Sequence, residues 1–96
     1  MTYEVTAQVE PALVSTYETY MRERHIPDLL ATGRFTGASF VTSAPGRYRI
    51  RYEAATQADL DAYLRDHADR LRADFAAYFP KGVLLSREVW TALQVW

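Results

Sequence analysis

Few side chains in this sequence have the types and spacing that chemistry needs, and His25 with Asp28 comes first. A histidine three residues from an aspartate can be oriented by it, which is the arrangement of a general base. The same residues also suit a structural helix end, with a protonated His25 favoured near the negative pole of the helix and Asp28 capping the next turn. His67 falls on the apolar stripe of a second helix, between Leu64 and Leu71. There it reads as a core histidine with one hydrogen-bond partner. Arg47, Arg49 and Arg51 alternate along one strand and so share one face. Adjacent guanidiniums repel unless compensated. They form either a clamp for a carboxylate or phosphate or a set of ion pairs with Glu4, Glu53 and Glu88. Gln8, on the same face, and Trp90 complete the candidate binding residues: Gln8, Arg49, Arg51 and Trp90 for a ligand, His25 and Asp28 for proton transfer.

What is missing narrows the chemistry. There is no cysteine, so disulfides, thiolate zinc sites and thiol catalysis are excluded. The cysteine-free composition fits a reducing cytosol. Two histidines on separate helices, with no carboxylate cluster, make no persuasive metal site, and no cofactor is expected. No phosphate-binding glycine loop, Gly-x-Ser-x-Gly or His-Glu-x-x-His is present. A formal net charge of −1 disfavours a nucleic-acid partner. No apolar run approaches the roughly 20 residues of a membrane helix, and no signal peptide is visible. Ten of the eleven basic residues are arginine, which we read as a mark of a GC-rich genome.

The elements that must position these residues follow from periodicity. Tyr3 to Val9 alternates, with Tyr3, Val5, Ala7 and Val9 on one face and Glu4, Thr6 and Gln8 on the other, which predicts a half-buried strand. Pro11 suits a first helical turn, and Leu13, Tyr17, Tyr20 and Met21 recur at helical spacing. Pro27 should end or kink that helix near His25 and Ile26, with a short turn through Asp28–Ala31 and Gly33 as a left-handed stop. A hairpin is predicted from Phe35–Thr42 and Arg47–Ala54, with Gly37 a candidate bulge and Ser43–Gly46 the turn. Thr56 and Asp59 resemble a capping box at the head of one long helix, striped by Leu60, Tyr63, Leu64, His67, Leu71, Phe75 and Tyr78. Asp61/Arg65 and Asp66/Arg70 are spaced to pair along it. Val83–Leu93 reads as a last strand.

The order β-α-β-β-α-β is the ferredoxin-like plan: a four-stranded antiparallel sheet with two helices on one face and expected strand order 4-1-3-2. The 96 residues form one domain. A domain this small buries only about 60–65% of its open-chain surface and gains from association. The helix-free face should carry Glu4, Thr6, Gln8, the three arginines, Phe35, Ser39, Val41, Ser86, Glu88 and Trp90. With the apolar tail Val89–Trp96, it predicts a homodimer joined sheet to sheet. Trp90 and Trp96 then line either an interface or a cavity that stacks on an aromatic ligand.

Several stretches together resemble a known family. They are Tyr3-Glu4-Val5-Thr6, the segment His25-Ile26-Pro27-Asp28-Leu29-Leu30-Ala31-Thr32-Gly33-Arg34-Phe35-Thr36-Gly37-Ala38, Arg51-Tyr52-Glu53-Ala54, and Leu60, Tyr63, Leu64, His67-Ala68 and Arg70-Leu71-Arg72. The chain resembles the bacterial family of domain of unknown function (DUF) 4286, within the dimeric α+β-barrel superfamily. The resemblance implies two ferredoxin-like subunits closing a barrel. Superfamily members include cofactor-independent monooxygenases, cyclases, isomerases and haem-handling proteins, so fold alone selects no function. Oxidising relatives commonly rely on an asparagine with a tryptophan, and this chain has no asparagine. Three functions remain open at this level: a dimer that binds a small anionic or aromatic molecule or serves as an assembly module, a cofactor-independent enzyme using His25 and Asp28, and, as some haem-handling relatives imply, a haem-binding variant using His67.

Overall fold

In the computed structural model, which describes residues 1–96, alternation in the sequence becomes alternation across a sheet. Strands β1 (Thr2–Val9), β2 (Gly37–Ala44), β3 (Arg47–Glu53) and β4 (Val83–Trp90) pair antiparallel in the order β2-β3-β1-β4. This is the expected ferredoxin-like α+β topology. Tyr3, Ala7, Val9, Tyr48, Ile50 and Tyr52 are buried against the helices. Their alternate neighbours Thr6, Gln8, Arg49 and Arg51 are exposed on the other face. The β2–β3 hairpin closes at Gly46, whose φ of 82° is left-handed. A Cβ there would lie 2.7 Å from the Val9 carbonyl oxygen, so the turn requires glycine.

The first helical stretch runs from a 3₁₀ turn at Pro11–Leu13 through α1 (Val14–Tyr20), a π turn at Met21–His25, and α2 (Ile26–Ala31). Of the two outcomes expected of Pro27, an end or a kink near His25 and Ile26, the helix does not end; the turn before Pro27 widens. Its ring crowds the carbonyl four residues back, and it has no N–H to give. The chain responds with a π step, in which the Ile26 N–H donates to the Met21 carbonyl five residues earlier. Gly33, at φ 77°, then stops the helix as expected.

The second helical stretch is not one helix. It breaks at His67 (φ −129°, ψ −30°) into α3 (Gln57–Asp66) and α4 (Ala68–Tyr78). The expected i,i+4 pairs along it are replaced. Arg65 pairs with its neighbour Asp66 at 2.9 Å, Gln57 donates to Asp61, and Arg70 approaches His67 Nδ1. The Thr56 cap is present, with Thr56 Oγ1 accepting the Asp59 N–H at 3.1 Å.

Other expectations shift by a residue or a face. β2 begins at Gly37, and its irregularity lies between Thr42 and Ala44, not at Gly37. Phe35 precedes the strand and turns into the core, packing on Tyr3, Tyr52 and Tyr63. The helix-free face thus loses it. β4 stops at Trp90, and beyond it Leu93, Val95 and Trp96 are almost wholly exposed. The core between helices and sheet is strongly aromatic: Tyr17 packs against Phe40, Tyr48, Phe75 and Phe79, and Tyr20 against Phe75, Tyr78 and Phe79. Such pairs favour offset and edge-on geometry and add to the stability from area burial.

Candidate functional site

Two places bring chemical groups together, one on each side of the sheet. On the helix-free side, strand register fixes the neighbours. Glu4 pairs across to Arg51 on β3 and to Glu88 on β4, Thr6 to Arg49 and Ser86, Gln8 to Arg47 and Leu84, and Thr2 to Trp90. Glu4 is the hub. It is 7% exposed although it sits on the polar face. Its Oε1 accepts Arg51 Nε at 2.8 Å and lies 3.4 Å from Arg49 Nε. Its Oε2 accepts the Trp90 indole N–H at 3.1 Å. The Arg51 hydrogen bond holds the Glu4 carboxyl below the usual carboxylate range, against an opposing effect of burial, with Trp90 and Arg49 adding to the lowering.

Arg49 and Arg51 are therefore compensated within the chain by one carboxylate. The expected partners Glu53 and Glu88 make no ion pair with them; Glu53 accepts the Thr2 hydroxyl instead. Arg47 has no carboxylate within ion-pair distance. It borders an open groove of about 610 Å³ with Thr6, Gln8, Val41, Leu84 and Ser86. Thr6 and Ser86 hydroxyls hydrogen-bond each other on its floor. Around the hub and groove, Val41, Leu84 and Trp90 are 49%, 72% and 52% exposed. Sequence reasoning put Gln8, Arg49, Arg51 and Trp90 on this face, and the structure does the same, but in two places: Arg49, Arg51 and Trp90 gather on Glu4, whereas Gln8 lies six residues along β1 from the Thr2–Trp90 pair and lines the groove with Arg47 and Arg49. Leu84 was missed as part of this face, although the alternation Leu84/Ser86/Glu88/Trp90 carried the signal. Arg47 was one of three arginines in the sequence; that it alone is unpaired depends on register.

On the helix side, His25 closes the π turn, stacks on Tyr20 and meets Phe75 edge-on, with ring centroids 5.9 and 5.3 Å away. Burial pushes its pKa down to about 4, against weaker pulls upward from Asp28 and Asp74 and a further push down from Arg87. It is neutral at ordinary pH. Asp28 lies on the next turn and influences His25 only through space; no hydrogen bond joins them. His25 lines a small pocket between helices and sheet, together with Tyr17, Arg72 and Arg87. Burial raises the Tyr17 phenol well above its ordinary range, so it stays protonated.

His67 sits elsewhere, at the α3–α4 break, half-buried, and stacked on Tyr63 at 6.4 Å. It does not occupy the centre of the helix–sheet layer. No group of three or more His, Cys, Asp or Glu side chains is placed to hold a metal ion. No helix is long and apolar enough to cross a membrane.

Comparison with known proteins finds solved structures of the same fold. The NE2512 protein of unknown function from Nitrosomonas europaea superposes with a TM-score of 0.65 at 16% identity, covering 98% of this chain and 91% of that one. A candidate antibiotic biosynthesis monooxygenase from Deinococcus radiodurans gives 0.55 at 14% identity, covering 100% and 99%. A further antibiotic biosynthesis monooxygenase gives 0.52 at 14% identity, covering 96% and 100%. These likenesses show the ferredoxin-like fold alone. No curated protein matches the sequence. A family model does, over residues 1–93, and the chain belongs to the family described as Domain of unknown function (DUF4286).

Proposed function

We propose that the chain is a cytosolic homodimer whose helix-free sheet faces meet, turning the groove beside Arg47 into a chamber for a small organic anion. The observation that carries this reading is the state of that face. Its polar centre is already satisfied inside one chain by Glu4, Arg49, Arg51 and Trp90. Its apolar groups Val41, Leu84 and Trp90 are left uncovered around that centre. A paired and hydrogen-bonded hub costs less to desolvate than unpaired charges would. The apolar tail from Leu93 to Trp96 adds surface that a second copy would cover. Arg47, with Gln8 and Thr6 beside it, supplies the donors for the anion.

Native mass spectrometry of wild type and Leu84→Glu tests it. Wild type should run as a dimer and Leu84→Glu as a monomer with unchanged far-UV circular dichroism. An extra mass that leaves on denaturation, and is absent in Arg47→Ala, would be the ligand. Wild-type monomer at all concentrations would overturn the reading.

A second reading is a cofactor-independent small-molecule enzyme using His25 and Asp28. It is favoured by His25 lining an internal pocket and by the likeness in fold to two proteins described as antibiotic biosynthesis monooxygenases. A histidine held at a pKa of about 4 is a weak base at neutral pH, which ranks this reading second.

A further inference from the structure

The chain has three side-chain polar atoms that are buried and without any hydrogen-bond partner: the Tyr17 hydroxyl, His25 Nδ1 and Arg72 Nε. They come from three different elements: α1, the π turn and α4. All three residues line the same pocket between the helices and the sheet. A buried polar group without a partner is costly, and native proteins keep few of them. Three in one place, with none elsewhere, mark a space whose occupant supplies the missing bonds.

The pocket sets the occupant's size and sign. It has room of about 30 Å³, against the roughly 10–15 Å³ that one water needs on the same measure. A molecule of one to three heavy atoms fits. Arg72 and Arg87 both line the pocket, and no carboxylate does. The acids that act on His25, Asp28 and Asp74, reach it through space from outside the lining. Arg72 is held in place because its Nη2 donates to the Tyr3 hydroxyl at 3.1 Å, which leaves Nε as a fixed donor. Tyr17 is wholly buried and keeps its proton. A neutral His25 can place its proton on Nδ1. Three donors, one of them on the Arg72 guanidinium, therefore line one space, beside the second guanidinium of Arg87. Phe75, Met21 and Tyr63 are among the apolar residues that make up the rest of the wall.

We propose that this pocket is a binding site for a small monoanion of the carboxylate type, held by the Tyr17 hydroxyl, His25 Nδ1 and Arg72 Nε. The site is separate from the groove beside Arg47 and does not depend on the dimer. It has the character of a subsite: it would take the carboxylate end of a ligand, or a free one-carbon acid, between the helices and the sheet.

The probe is formate, titrated into the full chain at constant ionic strength made up with sodium sulfate, whose anion is too large for the space. His25 ring resonances are followed by NMR. A three-atom ligand binds no tighter than about the millimolar range, so saturation is expected there. Tyr17→Phe removes one oxygen from a fully packed ring and should fold unchanged. It should weaken formate at least about tenfold, the value of one hydrogen bond to a charged group. Arg72→Gln should weaken it further, and Arg47→Ala, on the opposite face, should leave it unaltered. Failure of His25 resonances to saturate, or equal affinity in wild type and Tyr17→Phe, would overturn the site. So would a crystal grown in formate that shows only water between the three groups.

Discussion

At the scale of single residues, burial decides what each ionisable group can do, and His25 is the sharpest case. Its pKa is about 4 in the folded chain and about 6.5 in an open one. The unfolded state thus binds more protons between those values. Stability is complete above pH 6.5 and falls as pH drops toward 4, by about 2 kcal/mol between pH 7.5 and 5. Glu4 has the opposite origin but the same sign: its lowered pKa means its contribution is present above the ordinary glutamate range and lost below it. The two windows separate near pH 4.5, so the loss between pH 7.5 and 5 belongs to His25. Urea denaturation at the two pH values should show it in wild type, and His25→Gln should flatten most of it. An unchanged slope in His25→Gln would mean that the ring is solvated. Neither property was legible in the sequence. Alternation put Glu4 on the polar face, but its partners come from β3 and β4, some 47 and 86 positions away along the chain. His25 was legible as a candidate, but its pocket partner Arg72 comes from a different helix.

Elements were far easier to read than the contacts between them. Period-two alternation at Tyr3–Val9 and Arg47–Glu53 fixed both the strands and their buried faces, because every second side chain must share a side. Where the pattern was weaker, the reading slipped. Phe35 continues the alternation of β2 on paper, yet it precedes the strand and fills a core position among Tyr3, Tyr52 and Tyr63. The break at His67 has no Gly or Pro to announce it, and the apolar stripe runs through it at helical spacing; nothing local explains it. Pro27 announced a disturbance, but its effect appears one turn earlier as the π step that ends on His25. The cap at Thr56 was legible because its chemistry is local. Its side chain satisfies the Asp59 N–H, an otherwise orphaned donor at the head of α3. Thr56→Ala should cost about 1 kcal/mol in urea denaturation, and Thr56→Ser should restore nearly all of it. An equal loss in both would show that the methyl packing, not the hydroxyl, stabilises the turn.

At the scale of the whole molecule, the way charge is distributed decides how two copies would hold together. The chain is nearly neutral, with a net charge of −1, so no overall field favours or opposes pairing. Two kinds of sheet-to-sheet dimer are conceivable from the sequence. In one, arginines of one chain meet glutamates of the other. In the second, each chain neutralises itself and the contact is apolar. The structure supports the second, because Glu4 binds Arg49 and Arg51 of its own chain while Val41, Leu84 and Trp90 stand uncovered. The two differ in response to salt. Pairs formed across an exposed interface weaken as the screening length falls from about 14 Å at 50 mM to about 4 Å at 500 mM. An apolar contact does not. The dissociation constant of the proposed dimer, followed by sedimentation velocity, should therefore change less than about threefold over that range. Leu84→Glu should raise it by at least about a hundredfold, since each chain would bring a new charge to a desolvated face. A dimer that dissociated in salt but tolerated Leu84→Glu would place the intersubunit contact on the arginines, and would make Arg49 and Arg51, not Leu84, the residues that hold two chains together.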